Sequence, residues 1–273
     1  MRTILVTGCS TGIGLAAART LKARGWRVFA TARKPEDVQR LQTIEGVEAL
    51  RLDLTDTASI GPCVEDVLRR TGGTLDALYN NAGFGGIGAV EDVSPALLRR
   101  HLDVNVVAVH ELCRLVVPVM RAQGHGRIVM CSSVLGFVSV PYRGAYCASK
   151  FALEALSDAL RMEVARDGIR VSIIEPGPIE SQFASTAEQM LRSNIAVEQS
   201  VHRADYERRI SEMDAGTRKL FRLGPEAVAA KLVHAVESSR PKTRYRVCLS
   251  THGAAILKRL LPGSMLDRIA ARV

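Results

Sequence analysis

The sequence predicts an α/β protein: a doubly wound, Rossmann-like parallel sheet of seven strands with helices on both faces, in a single domain. Three observations carry this. Short β-branched segments alternate with longer segments of helical periodicity from residue 3 to about residue 250. Such alternation builds βαβ units, whose right-handed crossovers cover both faces of a parallel sheet. The first strand-like segment runs into a glycine-rich turn that opens a helix, the entry to a dinucleotide-binding half. The 273 residues are 47% hydrophobic and 24% charged, ample material for one core, with no repeat or linker.

In order, TILVT is a short strand, and LAAARTLKARG is a helix with one apolar face and Gly25 as its stop. WRVFATA, VEALRLDL and LDALYNNAG are the next strands, separated by the helices EDVQRLQT and IGPCVEDVLRR. The stretch from Ser94 to Gly124 is a long helix or a helix pair with a Ser-Pro start, and GRIVMCSS is a buried strand. AYCASKFALEALSDALRMEVARDG is a helix closed by Gly168, and IRVSIIEPG is the sixth strand. PEAVAAKLVHAVES, with Pro225 in its first turn, is a helix, and TRYRVCLS is the seventh strand. The expected domain is 1–250. Residues 179–222 are polar and weakly helical, and so long a loop region inside a compact domain is usually functional, here a substrate lid. Residues 251–273 form an amphipathic, basic extension that suits packing on the protein itself, on a partner subunit or peripherally on a membrane surface.

Composition narrows function. The net charge is +9, which suits an anionic ligand. The Lys and Arg residues are scattered and aromatics are only 4%, so no nucleic-acid platform is expected. The six cysteines have no metal-ligand spacing, no metal is expected, and the thiols read as reduced and cytoplasmic. The first strand begins at residue 3, which leaves no room for a leader. No apolar run approaches the roughly 20 residues of a membrane span.

TGCSTGIG, residues 7–14, follows a strand and opens a helix. Glycines there let backbone approach a pyrophosphate, and the helix N-terminus favours its charge. Gly8, Ser10, Thr11, Gly12, Ile13 and Gly14 are therefore candidate cofactor contacts. A fold that prefers NAD usually carries an acid at the end of its second strand. Here Ala32 stands there and Arg33 follows; a cation without a carboxylate suits the 2′-phosphate of NADP(H). Asp53, followed by Leu54 at the end of strand three, is placed to accept from the adenine amino group. Tyr146 and Lys150 lie four apart at a helix start, on one face. They are either a surface or core pair without chemistry, or a phenol made more acidic by its ammonium neighbour.

Four motifs occur in order: TGCSTGIG, NNAG at residues 80–83, Ser133, and the Tyr146/Lys150 pair. Together they resemble the short-chain dehydrogenase/reductase family in its single-domain form, over residues 3 to about 250. The stretches NNAGFG, GRIVMCSSVLG, GAYCASKFALEALSDALRME, IEPGPIES and LKRLLPG resemble the family's bacterial NADP-dependent aldehyde reductases and its 17β-hydroxysteroid and retinol dehydrogenase-like members. The resemblance implies Tyr146 as proton donor, Ser133 as holder of the carbonyl oxygen, and Lys150 as tuner of Tyr146 and ligand of the nicotinamide ribose. It implies Asn105 as the fourth catalytic member. Asn81, Ala82, Gly83, Pro176, Gly177 and Ile179 would line the cofactor, as would Tyr146 and Lys150. Leu135, Phe137, Tyr142 and Phe183, with the lid, would build the substrate pocket. The implied activity is NADPH-dependent reduction of an apolar aldehyde or ketone. The alternatives are oxidation of a hydroxysteroid- or retinol-type alcohol and NADP sensing without turnover. The resemblance further implies a homodimer or homotetramer formed through the helices around 96–122 and 146–167.

Overall fold

The computed structural model describes residues 1–180, 183–214 and 222–271. Seven strands form one parallel sheet: β1 Thr3–Val6, β2 Arg27–Ala32, β3 Glu48–Arg51, β4 Ala77–Asn80, β5 Gly126–Cys131, β6 Ile169–Glu175 and β7 Arg244–Arg246. Their order is β3-β2-β1-β4-β5-β6-β7. Sequence order reverses at β1, which lies between β2 and β4. That switch opens a crevice at the carboxyl ends of the strands, where ligands of such sheets bind.

Strands buried on both faces read as continuous apolar runs, and here the two faces can be separated residue by residue. Ile4 and Val6 point to one core, Leu5 to the other. On the first side lie α1 (Gly12–Ala23), α2 (Pro35–Thr43) and α9 (Glu226–Glu237), which insert Ala17, Leu21, Leu41 and Leu232. On the second lie α3 (Ile60–Thr71), α5 (Ala108–Gln123) and α6 (Gly144–Glu163), which insert Val64, Val67, Leu112, Val116 and Leu153. Each fully buried aliphatic side chain is worth about 1.5–3 kcal/mol relative to exposure, so the sheet end that carries the site is firmly fixed.

Two regions sharpen the sequence reading. The stretch after Ser94 is a helix pair: α4 (Pro95–Leu102) leads through a π-helical turn, Asp103–Val107, into α5. Ser94 caps α4 by accepting from the Leu97 N–H at 3.2 Å, and Pro95 fits the first turn. Within 179–222, the weakly helical expectation is replaced by two helices, α7 (Phe183–Asn194) and α8 (Arg203–Asp214). Ala187, Leu191 and Ile195, one turn apart, join Tyr206, Ile87 and Ala89 in a third, separate core. The many polar residues between them hide this stripe in the sequence. The tail forms α10 (Leu249–Leu260) and α11 (Gly263–Ala270); Thr251 and Ala255 face inward while Leu249, Ile256 and Leu260 are exposed. Among the described residues, no helix is long and apolar enough to cross a membrane.

Candidate active site

The glycine loop sits at the switch point, packed against the turn after β4. Gly8 has φ +72°, and a Cβ there would lie 2.8 Å from Ala82 Cα. A Cβ on Gly14 would lie 2.1 Å from the Gly8 carbonyl oxygen. Both glycines are thus required by backbone contact and conformation. Thr11 stands at the N-cap of α1 without a side-chain cap bond, so the first-turn amides keep their capacity for an external acceptor. Thr7 Oγ1 accepts from the N–H groups of Asn81 and Ala82, each at 2.9 Å. Asn81 Nδ2 donates back to the Thr7 and Gly8 carbonyls at 2.9 and 3.2 Å. The two loops are therefore one unit. Arg40, not singled out by sequence, donates to the Ser10 carbonyl at 2.5 Å. Ile13 packs on the α1 side of the core.

At the end of β2, Ala32 is buried and Arg33 exposed. Arg51 Nε donates to the Arg33 carbonyl at 3.3 Å, so two guanidiniums share this rim. Asp53 accepts from Thr55 N and Oγ1 at 3.0 and 2.7 Å. Burial raises its pKa, but the Thr55 bonds and the field of Arg33 and Arg51 outweigh this and hold it below its ordinary value. Leu54 is buried in the core and can offer a ligand only its backbone.

The residues expected to be catalytic converge. Tyr146 and Lys150 lie in the first turns of α6, 7% and 5% exposed. Lys150 Nζ donates to the Cys131 carbonyl at 2.8 Å and lies 5.8 Å from the Tyr146 ring centroid. The Ser133 hydroxyl hydrogen-bonds Tyr146 and accepts from the Leu135 N–H at 3.1 Å. Asn105, in the π-helical turn, donates to the Phe84 carbonyl and to Ser149 Oγ, both at 3.0 Å. Its Oδ1 accepts from the Phe84 N–H at 3.1 Å. A Cβ on Gly83 would lie 2.9 Å from Asn105 Oδ1 and 3.8 Å from Lys150 Nζ, so the NNAG turn rests directly on both residues. Such π turns frequently mark functional sites.

One electrostatic expectation is reversed. Among the protein's own groups, burial and not the neighbouring ammonium sets the direction at Tyr146. Burial pushes the Tyr146 phenol well above its ordinary value, with the Ser133 hydrogen bond opposing. Burial also lowers Lys150, opposed by Cys131 and Glu154. Desolvation disfavours the charged form of each group, and it wins here over a lysine whose ammonium is turned to a backbone carbonyl.

On the far side, the Val134 N–H donates to the Pro176 carbonyl at 2.8 Å, joining the Ser133 turn to the Pro176–Gly177 turn. A Cβ on Gly177 would lie 2.8 Å from Thr251 Oγ1. Ile179 pairs with Leu223 through backbone bonds on either side of it. Leu135 and Phe137 are half-buried on the turn after Ser133. Tyr142, at φ +63°, faces α8. Its hydroxyl donates to Asp205 Oδ2 at 2.6 Å and lies 3.2 Å from His202 Nδ1. The side chain of Phe183 lies outside the described residues, as do lid residues 181, 182 and 215–221. A cavity of about 10 Å³ between Gly88, Arg143, Ala145 and Met190 separates α7 from the start of α6. Among the described residues, no group of three or more His, Cys, Asp or Glu side chains is placed to hold a metal. Sequence reasoning missed Thr7, Arg40, Cys131 and Ser149. Cys131 acts through its carbonyl, which carries no residue signature.

The family model described as short chain dehydrogenase matches residues 2–192. The chain belongs to the short-chain dehydrogenase family. This short-chain dehydrogenase is 43% identical over 268 residues to a protein of Escherichia coli K12 named uncharacterized oxidoreductase YbbO, covering 98% of this chain and 93% of that one. It is 32% identical to the NADPH-dependent 3-dehydrocapnine reductase of Ornithobacterium rhinotracheale, covering 98% and 96%. Among solved structures it superposes on the actinorhodin polyketide ketoreductase with NADPH at a TM-score of 0.75 and 29% identity, covering 90% and 95%. The family and fold make the protein an oxidoreductase with a seven-stranded Rossmann-like sheet.

Proposed function

We propose that this short-chain dehydrogenase reduces an apolar aldehyde or ketone to the alcohol with NADPH. The observation that carries the reading is the hydrogen-bonded Ser133–Tyr146 pair beside buried Lys150, at the crevice end and against the glycine-loop unit. The backbone-lined cradle of Gly8, Gly14 and Ala82 fits a nucleotide pyrophosphate, with Ser10, Thr11, Gly12 and Ile13 along the same turn. Arg33, with Arg51 beside it, would take the 2′-phosphate, and Ala32 offers no acid to repel it. Asp53 and the backbone of Leu54 would hold the adenine, and Asn81, Ala82, Gly83, Pro176, Gly177 and Ile179 the nicotinamide half. Two relatives whose names or structures include NADPH support this preference.

The bound cofactor supplies the hydride. Ser133 holds the carbonyl oxygen and stabilises the charge that develops on it. Tyr146 gives its proton to that oxygen. Its raised pKa keeps the proton in place at neutral pH, which suits the reductive direction. Lys150 anchors the nicotinamide ribose, and Asn105 fixes the turn carrying Gly83. Leu135, Phe137 and Ile179 give the substrate an apolar wall.

Residues 1–250 serve as the catalytic domain, with 179–222 as its lid and 251–273 as an extension. Exposed Val107, Leu156 and Met162 near and along α5 and α6 support a homo-oligomer through these helices, to be checked by light scattering. The buried, unbridged cysteines support a cytoplasmic enzyme. The experiment is NADPH consumption with a panel of aldehydes and ketones, with NADH in parallel. Turnover with NADPH and little with NADH is expected. Tight NADPH binding without turnover of any carbonyl would overturn the reading.

A further inference from the structure

Behind the site lies a part-buried charge cluster that the mechanism does not use. Glu154 is one helical turn beyond Lys150 on the buried face of α6. It is 7% exposed. Arg244 of β7 donates to Glu154 Oε2 at 3.0 Å and to Asp158 Oδ2 at 2.6 Å. Its Nε lies 3.1 Å from Glu175 Oε1, the carboxylate that ends β6 just before Pro176. Arg246 Nε lies 3.2 Å from the other oxygen of Glu175.

The cluster adjoins the Ser133 turn, the Pro176–Gly177 turn and the helix that carries Tyr146 and Lys150. A Cβ on Gly136, in the turn after Ser133, would lie 3.1 Å from Glu154 Cγ and 2.4 Å from Ser132 Oγ. Glu154 therefore underlies the turn that aims Ser133. Glu175 leads into the Pro176–Gly177 turn, and Glu154 and Lys150, four apart, share the buried face of α6. Removing two carboxylates from water is costly unless they are paired, and Arg244 pairs both.

We propose that Glu154 is a positioning residue of this active site: clamped by Arg244, its carboxylate is the buried counter-charge of the Lys150 ammonium and the support of the Ser133 turn. The charged and titratable groups facing the pair come from four elements. They are Tyr146 and Asp158 on α6 itself, Cys131 on β5, Glu175 on β6, and Arg244 on β7, with Arg246 facing Glu175. Burial pushes the Glu154 carboxyl above its ordinary value, and the Arg244 guanidinium opposes that shift, while Arg246 shares Glu175 with Arg244.

The inference rests on the reductase reading for its consequence, but its test does not need turnover. Protein labelled with ¹⁵N-lysine is titrated by NMR, with the Lys150 Nζ signal assigned through Lys150→Arg. Glu154→Gln keeps the shape and removes the charge, so the Lys150 midpoint should fall by about one pH unit, the size of one nearby opposite charge. Glu154→Asp, which keeps the charge, should leave it near the wild-type value. In the wild-type protein, the Lys150 signal should also report a second inflection in the acid range as Glu154 takes up its proton. An unmoved midpoint in Glu154→Gln, or an equal fall in Glu154→Asp, would overturn the proposal. If Glu154→Gln does not fold, absence of the acid inflection in the wild type overturns it. Failure to consume NADPH with any carbonyl would count against the reductase reading alone. With turnover, the alkaline limb of kcat/KM should move down with the Lys150 midpoint in Glu154→Gln. A merely structural role would lower the melting temperature and leave that limb in place.

Discussion

The two walls of the crevice are built in different ways. The nucleotide wall is made of strand ends and tight turns in close contact: Gly8 on the Ala82 backbone, Gly14 on the Gly8 carbonyl, and Gly83 on the Asn105 side chain. The opposite wall, the proposed lid, is made of two helices that share a small core with Ile87 and Ala89. Side-chain bonds tie it down: Tyr206 and Ser200 donate to Asp92, each at 2.6 Å, and Tyr142 donates to Asp205. The first wall tolerates almost no added atom, whereas the second is held by a small apolar core and a few side-chain hydrogen bonds. Chemistry that needs ångström placement suits the first, and the lid proposed for residues 179–222 suits the second.

Substitutions on the two walls should separate accordingly. The largest effect is expected from Tyr146→Phe, which removes the proton donor and should lower kcat by roughly 10²–10⁴-fold, with NADPH affinity unchanged in a fluorescence titration. Next comes Gly14→Ala. Its Cβ would meet the Gly8 carbonyl at 2.1 Å, and the forced backbone shift should cost about 3 kcal/mol. Thermal unfolding and NADPH binding should both register it.

The difference between the walls also explains what the sequence made legible. The strand–turn–helix rhythm and the glycine turn are local patterns, so the sheet and the glycine loop could be read in one dimension, whereas the grouping of Asn105, Ser133, Tyr146 and Lys150 came from the resemblance to the family. The lid could not. Its helices are held by partners more than a hundred positions away, such as Asp92 for Tyr206, and no local pattern announces such pairs. The state of Tyr146 was also illegible: spacing places Lys150 nearby, but burial sets the direction of the shift.

On the lid wall, Tyr206→Phe removes the bond to Asp92 and leaves the Ala89 N–H without its acceptor at 2.7 Å. A loss of about 2 kcal/mol is expected, with a raised KM for the carbonyl and unchanged NADPH affinity. An equal loss of NADPH affinity would break the distinction between the walls. At the rim of the nucleotide wall, Arg33→Ala should weaken NADPH about tenfold, the equivalent of 1.4 kcal/mol, and leave NADH unaffected.

The smallest effect is a pH dependence of the lid. Asp92 is held below its ordinary pKa by the Ser200 and Tyr206 hydrogen bonds. A depressed carboxylate contributes stability that is full above its unfolded value, about 4, and is lost as pH falls through its lower folded value. Proteolytic cleavage within α7 and α8 should therefore rise as the pH falls below about 4, and Asp92→Asn should flatten that rise.

The most direct test follows the hydride. With NADPH deuterated at the transferable position and an apolar aldehyde that the enzyme turns over, the product alcohol is analysed by mass spectrometry. One deuterium on the carbinol carbon is expected from the wild-type enzyme, with little labelled product from Tyr146→Phe over the same time. Unlabelled alcohol, or equal labelled product from both proteins, would contradict hydride transfer at a site in which Tyr146 gives the proton.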